Sequence, residues 1–377
     1  MLRKKSYISL FIGLTVLFCS GKAFAYKTGE VEINAHGRVS EAYDTNVTYA
    51  NTNPLNDFTT TLSAGLDLNY EGRVSSLGFV GNVDQQFFVN NPKFENTSED
   101  FALNYAQDLS NLEALTVSDV FDHTYEPRSF EDTLGRTNGR YSYIRNKVNV
   151  AYNRTLTKQL SLLLGYYNQM DFFSRSDIAD SYLNSGSVEL DYYLTAKTVF
   201  LGFYDFSIRK FDPGTDATTN RSGGGLRQFF TDQLYVDVTG GVDAIDSFDN
   251  TKSVNPFVIA SVTDDINERT IINGKFKKER YTIPYAQDIY DYWEISGLIT
   301  SQLLARLSSS FSVFFGRGEY VKSGVSDDLF GMNMGATYEL TKKINLIASY
   351  RYYSDTSDTA LRGYNKNTVT VGLSGKF

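Results

Sequence analysis

The chain ends in Thr368-Val369-Thr370-Val371-Gly372-Leu373-Ser374-Gly375-Lys376-Phe377, and this stretch decides the fold. Apolar residues alternate along it with small or polar residues, which is the period-2 pattern of a β-strand with one apolar and one polar face. The strand stops on an aromatic residue. In an exported chain, such a final strand predicts a transmembrane β-barrel, in which the last strand pairs with the first and turns its apolar face to lipid.

The start of the chain has the pattern of a cleavable export signal. Residues 3–5 are basic, residues 8–20 are apolar, and Ala23-Phe24-Ala25 is a cleavage motif. The apolar stretch is too short to span a bilayer as a helix. We therefore expect a signal peptide over residues 1–25 and a single outer-membrane β-barrel domain over residues 26–377.

Charge and cysteine content exclude several classes of function. Removal of the signal takes away four basic residues and no acidic one, so the net charge falls from −8 to −12. This charge argues against a nucleic-acid partner and against a strongly anionic passenger. The only cysteine, Cys19, lies within the signal, which excludes cysteine-based metal or redox chemistry from the rest of the chain. We expect no cofactor and no metal site.

The composition favours a barrel over other β-proteins. The chain contains 27 Tyr, 27 Phe and one Trp, but only six Pro. A barrel needs two belts of aromatic residues at the membrane interfaces, whereas a soluble core of this size requires fewer. A soluble β-sandwich or propeller is the alternative. Many strand candidates exceed ten residues, which suits a tilted bilayer crossing better than a soluble sheet.

Short polar connections alternate with longer ones rich in Asn, Asp, Gly and Pro, as periplasmic turns alternate with extracellular loops in bacterial barrels. Eight short and nine long connections predict an up-and-down antiparallel barrel of eighteen strands with both termini in the periplasm. The hairpin around residues 103–120 is the least regular, so sixteen strands is the alternative. The short connections are 71–73, 110–111, 156–158, 195–197, 231–232, 263–265, 301–302 and 340–342, and the long ones are 44–57, 90–98, 124–139, 174–180, 212–220, 247–252, 280–287, 322–326 and 354–363.

Alternation within the strands predicts which side chains face an aqueous lumen. Leu62, Leu66 and Leu68, for example, oppose Ser63 and Asp67. An eighteen-stranded barrel is too wide for side chains alone to fill, so we expect a water-filled channel. Its hydroxyl, amide and aromatic lining suits a carbohydrate. The charged residues predicted to line the lumen are Asp67, Arg145, Lys147, Glu189, Asp191, Asp205, Arg209, Asp237, Asp243, Arg306 and Arg351.

Enzyme signals are weak. The chain contains no G-x-S-x-G, H-E-x-x-H, P-loop or C-x-x-C motif, and we expect it not to be an enzyme, with no catalytic residues. One alternative remains open. His123 lies near the loop end of a predicted strand, close to Asp119 and Asp122, where a hydrolase site could form.

The opening strands carry a more specific signal. Val39–Val47 contains Tyr43-Asp44-Thr45-Asn46, and an Asp57-Phe58-led strand follows. This pattern resembles the start of the putative β-barrel porin type 2 family, in which tyrosine, aspartate and asparagine end the first strand. Thr45 stands where a second aspartate is frequent. The residues that carry the motif are Tyr43, Asp44 and Asn46.

The resemblance implies an outer-membrane conduit for an exported polysaccharide. Members of that family are associated with exopolysaccharide synthesis and export, so the implied partners are outer-membrane lipid and lipopolysaccharide, periplasmic export components and a carbohydrate passenger. The alternative is a general or oligosaccharide-specific diffusion porin. Such a porin usually folds one long loop into its lumen. The candidate is the Thr124–Gly139 loop, where Arg128 or Arg136 would face acidic side chains.

Overall fold

The computed structural model describes residues 26–28, 30–125, 139–247, 251–283, 287–359 and 362–377. The export signal predicted over residues 1–25 lies outside these ranges and stays a prediction. No helix in the described ranges is long and apolar enough to cross a membrane. The only helical element described there is a single 3₁₀ turn, Pro92–Phe94.

The described residues form nineteen strands: β1 (Tyr26–Thr28), β2 (Val31–Asp44), β3 (Asp57–Glu71), β4 (Ser75–Phe88), β5 (Asn96–Ser110), β6 (Glu113–Thr124), β7 (Tyr143–Thr157), β8 (Leu160–Phe173), β9 (Asp180–Thr195), β10 (Thr198–Asp212), β11 (Ala217–Phe229), β12 (Leu234–Ser247), β13 (Thr251–Asn267), β14 (Thr270–Ile283), β15 (Asp288–Leu304), β16 (Leu307–Tyr320), β17 (Ser326–Thr341), β18 (Ile344–Ser357) and β19 (Tyr364–Lys376).

Strands β2 to β19 form one closed antiparallel barrel. Each pairs with the next along the chain, and β19 returns to pair with β2. This confirms the predicted eighteen-strand barrel, and the sixteen-strand alternative is wrong because β5 and β6 pair along the weakly patterned hairpin. The sequence did not predict β1, a three-residue addition that pairs with β2.

The last residue takes part in closing the barrel. The amide of Phe377 donates to the Ala35 carbonyl at 2.8 Å, and the Ala35 amide donates to the Phe377 carbonyl at 3.1 Å. The register runs from Lys376 opposite His36 to Thr368 opposite Asp44. The final strand therefore pairs with the first long strand over its last nine residues, as its alternating pattern predicts.

The two ends of the barrel differ. Eight connections of two to four residues and both described chain ends lie at one end, which we call the turn end. The nine other connections, most of them longer, join strands at the opposite end, the loop end. Thr157, Thr195 and Thr341 each precede a short turn, and each side-chain oxygen accepts a backbone amide hydrogen bond from the residue two positions later, at 3.1–3.2 Å. A short polar side chain that satisfies a turn amide explains why Thr recurs at these positions.

The outer face of the barrel is apolar. Leu66, Val238 and Val371 are each more than 40% exposed although they lie well inside their strands. Aromatic residues of the same outward parity gather towards both ends, as a membrane-spanning barrel requires. Those near the loop end are Tyr43, Phe58, Phe172, Tyr182, Trp293, Phe315, Phe330 and Tyr352, and those near the turn end are Tyr70, Tyr105, Tyr152, Tyr192 and Tyr338.

Candidate functional site

Hydrogen bonds that skip strands identify the inner face. The Arg221 guanidinium on β11 donates to Glu279 on β14 at 3.0 Å, although β12 and β13 lie between them. His36 on β2 contacts Asn82 on β4 at 2.5 Å, across β3. Such contacts can form only across the concave side of a barrel. Side chains alternate between the two faces of a strand, so every second residue counted from these positions also faces the lumen, and we say that it has inward parity.

A cavity of about 930 Å³ runs along one side of the lumen. It extends from Asp44 and Thr124 near the loop end to Glu268 and Arg269 in a turn-end connection, so it spans most of the barrel. Its wall is formed mainly by β2–β4 and β15–β19. Hydroxyl side chains dominate this wall: Ser40, Thr59, Thr61, Ser308, Ser310, Thr337, Ser349, Thr368 and Thr370. We call it the hydroxyl wall.

The opposite side, β7–β12, carries most of the predicted charged residues. Arg145, Lys147, Glu189, Asp191, Asp205, Arg209, Asp237 and Asp243 all have inward parity there. Arg145 and Arg209 are brought together by Asp171, at 2.5 and 3.5 Å, and all three side chains are nearly inaccessible to solvent. Asp243 pairs with Arg221 at 2.7 Å, and Asp237 pairs with Arg227 at 2.9 Å. We call this side of the lumen, formed by β7–β12, the charged wall. Whether its members contact a passenger stays a prediction.

Two further predicted residues lie elsewhere on the inner face. Asp67 is at the turn end of β3, where its carboxylate lies 3.1 Å from His36 and 2.9 Å from the Lys376 ammonium group. Arg351 lines the cavity on the hydroxyl wall, opposite Asn333 and Thr368 in the register. The structure thus separates Arg351 from the charged wall rather than grouping it there.

Arg306 is not a residue of the inner wall. It lies in the two-residue connection between β15 and β16, where it is exposed and its carbonyl accepts the Glu339 amide at 2.8 Å. The sequence alternation continued through Arg306 because Ala305 and Leu307 are apolar. The turn predicted at 301–302 lies instead at residues 305–306, because β15 continues to Leu304 through a register shift between Gln302 and Leu304.

Aromatic residues narrow the loop end of the lumen. Tyr290, Tyr292 and Tyr320 are buried there, and Tyr353 and Tyr364 join the same cluster. The Arg362 guanidinium bonds the Tyr320 hydroxyl and the Asp327 carboxylate. The sequence does not predict this cluster, because nothing in the pattern of separate strands indicates that their inward tyrosines lie in contact.

Tyr49, from the 45–56 connection, also reaches the cavity. It is 3% exposed, its φ of +53° is rare for a non-glycine residue, and the Lys366 ammonium group lies 3.7 Å from the centre of its ring. The constriction predicted from Thr124–Gly139 lies mostly outside the described residues: 126–138, with Arg128 and Arg136, are not described. Within the described ranges, Tyr49 is the residue of the loop-end connections that lines the cavity.

The motif residues lie at the seam between β2 and β19. The Asp44 carboxylate accepts the Asn46 amide at 2.8 Å and pairs with Lys366 at 2.7 Å. The Asn46 side-chain amide donates to the carbonyls of Ala50 and Asn365 at 2.8 and 3.0 Å. Tyr43 points outward and contacts Phe58, with ring centres 4.9 Å apart. The motif therefore fastens the first loop to the last strand.

His123 lies on the outer face at the loop end, and its ring nitrogens contact Glu99 and Ser142. Its Nδ1 lies 2.5 Å from the Glu99 carboxylate and its Nε2 lies 3.1 Å from Ser142 Oγ. Asp119 instead accepts a hydrogen bond from Asn146 at 2.5 Å. The Ser142 amide donates to Ser174 Oγ, so it is not free to stabilise an oxyanion.

Two loop carboxylates are held by local hydrogen bonds. The Arg175 guanidinium, which contacts Asp177, lowers the pKa of the Asp177 carboxyl below its ordinary value. The Ser326 amide and hydroxyl donate to Asp358 and lower the pKa of that carboxyl as well. Both carboxyls are therefore ionised at neutral pH and hold their loops in place.

Comparison with solved structures gives distant likenesses. The siderophore receptor PirA from Pseudomonas aeruginosa is 9% identical, with a TM-score of 0.47 over 92% of this chain and 80% of the receptor. OccK2 (OpdF) from the same organism is 11% identical, with a TM-score of 0.49 over 92% and 98%. OccAB4 from Acinetobacter baumannii is 9% identical, with a TM-score of 0.49 over 95% and 100%. At such values these likenesses say nothing about function.

Sequence comparison is more specific. No curated protein matches the chain. The family model described as Putative beta-barrel porin 2 matches residues 290–377, which form nearly all of β15 and the whole of β16–β19. The match confirms the family resemblance predicted from the opening strands, but at the other end of the chain. Over its last five strands, this porin-like barrel therefore matches the family that Tyr43, Asp44 and Asn46 indicate.

Proposed function

We propose that the chain is a passive channel of the bacterial outer membrane and that its passenger is an exported polysaccharide. The observation that carries this proposal is the cavity that extends from the loop end to a turn-end connection along the hydroxyl wall. The family resemblance supports a polysaccharide as passenger. Outer-membrane lipid, lipopolysaccharide and periplasmic export components are the proposed partners.

The chemistry of the hydroxyl wall suits a carbohydrate. Ser and Thr side chains both donate and accept hydrogen bonds, so they replace the water around sugar hydroxyls one bond at a time. Neutral hydrogen bonds of this kind are worth only about 1 kcal/mol net, which lets successive sugar units exchange partners as they move. The chain carries no nucleotide-binding motif, so the driving force would come from synthesis or from inner-membrane components.

A diffusion porin for small solutes is the second candidate, and one observation favours it. Tyr49 and the buried tyrosines around Tyr290 narrow the loop end, as a constriction does in a channel that selects by size. A polymer needs a continuous path through this region, whereas a small solute needs only a narrow one.

Deletion of the gene distinguishes the two candidates. Export predicts loss of surface polysaccharide, accumulation of polymer in the periplasm and unchanged uptake of small sugars. A diffusion porin predicts the reverse, with reduced uptake and normal surface polymer.

A block of the lumen tests the path directly. Since Cys19 is the only cysteine in the chain, Ser349→Cys introduces the only thiol within residues 26–377. Ser349 lines the cavity, so reaction of the introduced thiol with a methanethiosulfonate reagent should reduce transport of the passenger through the barrel. Ala305→Cys, in a turn-end connection, is the matched control and should be unaffected. Equal transport by both labelled variants would contradict a path along the hydroxyl wall.

A further inference from the structure

Most inward arginines of the barrel are neutralised by a neighbouring carboxylate. Arg145 pairs with Asp171, Arg221 with Asp243 and Arg227 with Asp237, at 2.5, 2.7 and 2.9 Å. Close pairing is the usual condition of a charged side chain in a confined space, because an isolated charge loses solvation there. These residues therefore serve the barrel wall itself.

Arg351 differs from them in its position and in its pairing. It lies on the hydroxyl wall, lines the cavity and is exposed. Its register neighbours are Asn333 on β17 and Thr368 on β19, both neutral. Within the described part of the chain, its side chain has no hydrogen bond or ion pair. The guanidinium thus presents its donors to the cavity.

The other charges on the cavity wall do not cancel this one. Lys366 and Asp44 neutralise each other at 2.7 Å, and Glu268 and Arg269 sit together in the turn-end connection. Arg38 is only loosely compensated, since its guanidinium lies 3.5 Å from Asp84 and its side chain is 43% exposed. Away from the mouths, the cavity wall therefore carries an excess of positive charge.

This local charge opposes the acidic character of the whole chain. The acidic side chains Glu189, Asp191 and Asp205 lie on the charged wall, on β9 and β10, and none of them lines the cavity. Their field decays over about 8 Å at physiological salt. A guanidinium in direct, two-pronged contact with a carboxylate makes a stronger interaction than such a screened field.

We infer that Arg351 is a binding residue for carboxylate groups on the passenger, and that the channel is matched to an acidic carbohydrate. Asn333 and Thr368 flank the guanidinium and supply neutral hydrogen-bond partners for the hydroxyls of the same sugar unit. The inference deepens the proposed function and rests on it, since it names the charge class of the polymer.

The test uses two probes on the purified barrel in detergent and in planar bilayers. Trigalacturonate is the acidic probe and maltotriose the neutral one. We expect trigalacturonate to bind, and to block ion current, at concentrations about tenfold lower than maltotriose, a factor that corresponds to one charge-assisted contact. Arg351→Gln should abolish the difference. Arg351→Lys should retain part of it, because an ammonium group keeps the charge but not the two-pronged geometry.

Arg306→Gln is the matched control, since it removes the same charge from an exposed turn-end connection. Equal binding of both probes by the unaltered barrel, or an acid preference that survives Arg351→Gln, would overturn the inference. Binding measured by calorimetry decides the matter even if no current is seen. Acid-selective binding without any conductance would refute the channel and leave the Arg351 site standing, whereas conductance without acid preference would do the opposite.

Discussion

The Asp44 carboxylate lies 2.7 Å from the Lys366 ammonium group, and this contact joins the first long strand of the barrel to the last. Asp44 belongs to the opening motif, and Lys366 lies within the C-terminal range that matches the porin family. Two sequence signals more than 300 residues apart therefore meet at one place, the seam where the barrel closes.

Breaking this pair should destabilise the barrel. Both side chains are about 10% exposed, so Asp44→Asn removes a carboxylate from a poorly solvated ammonium group. We expect a loss of about 3 kcal/mol in the free energy of unfolding, measured by urea titration in lipid vesicles. The double variant Asp44→Asn with Lys366→Met should lose less than Asp44→Asn alone. A larger loss in the double variant would show that the two residues act independently of each other.

Asp57 holds the neighbouring loop by a similar device. Its buried carboxylate accepts the backbone amides of Asn90 and Asn91, each at 2.9 Å. Asp57→Ala should lower the free energy of unfolding by about 2 kcal/mol, because two backbone amides near the loop end lose a charged hydrogen-bond acceptor. Limited proteolysis should then cut within residues 89–95, which stay protected in the unaltered protein. Protection of that segment in the Asp57→Ala variant would count against this anchoring role.

Asp171 holds two buried arginines together and should be the most sensitive carboxylate of the charged wall. Asp171→Asn removes the carboxylate that Arg145 and Arg209 share in a buried site, and we expect a loss of about 4 kcal/mol in the free energy of unfolding. Asp177→Asn is the control, because the Asp177 side chain is 50% exposed and its bond to Arg175 is worth less than about 1 kcal/mol. Similar unfolding midpoints for the two variants would contradict the role given to Asp171.

The sequence predicts the barrel and which side chains face its interior at most positions, but it does not predict the contacts among those side chains. The period-2 pattern and the alternation of short and long connections are local signals, and they predict the eighteen strands and the pairing of β19 with β2. The bond from Arg221 to Glu279 depends on the curvature of the whole barrel, which no local pattern encodes. The sequence places Arg306 on a strand because it predicts the turn at 301–302. In the structure β15 continues past Gln302 through a shifted register, so the turn falls at residues 305–306. Tyr49 was missed because a loop residue with positive φ has no periodicity.

Glu99, His123 and Ser142 have the order of a hydrolytic triad, but the geometry argues against catalysis. The Ser142 backbone amide donates to Ser174 Oγ, whereas a serine hydrolase needs backbone amides that are free to stabilise the oxyanion. We expect the purified barrel to show no reaction with a fluorophosphonate probe and no hydrolysis of p-nitrophenyl esters. Labelling of the unaltered protein that disappears in Ser142→Ala but persists in Ser174→Ala would contradict this expectation.

Tyr49 should control the width of the loop end. Its ring lies between Lys366 and Tyr364, with ring centres of the two tyrosines 5.4 Å apart, and it forms part of the cavity wall. Tyr49→Ala removes the ring from the path, so single-channel conductance in planar bilayers should rise. Tyr49→Gly should raise it equally and unfold at a higher urea concentration than Tyr49→Ala, since glycine adopts the positive φ without the strain of about 1 kcal/mol that alanine carries. Tyr43→Ala, on the outer face, is the control and should leave conductance unchanged. If Tyr49→Ala conducts no better than Tyr43→Ala, the narrowing of the lumen lies elsewhere.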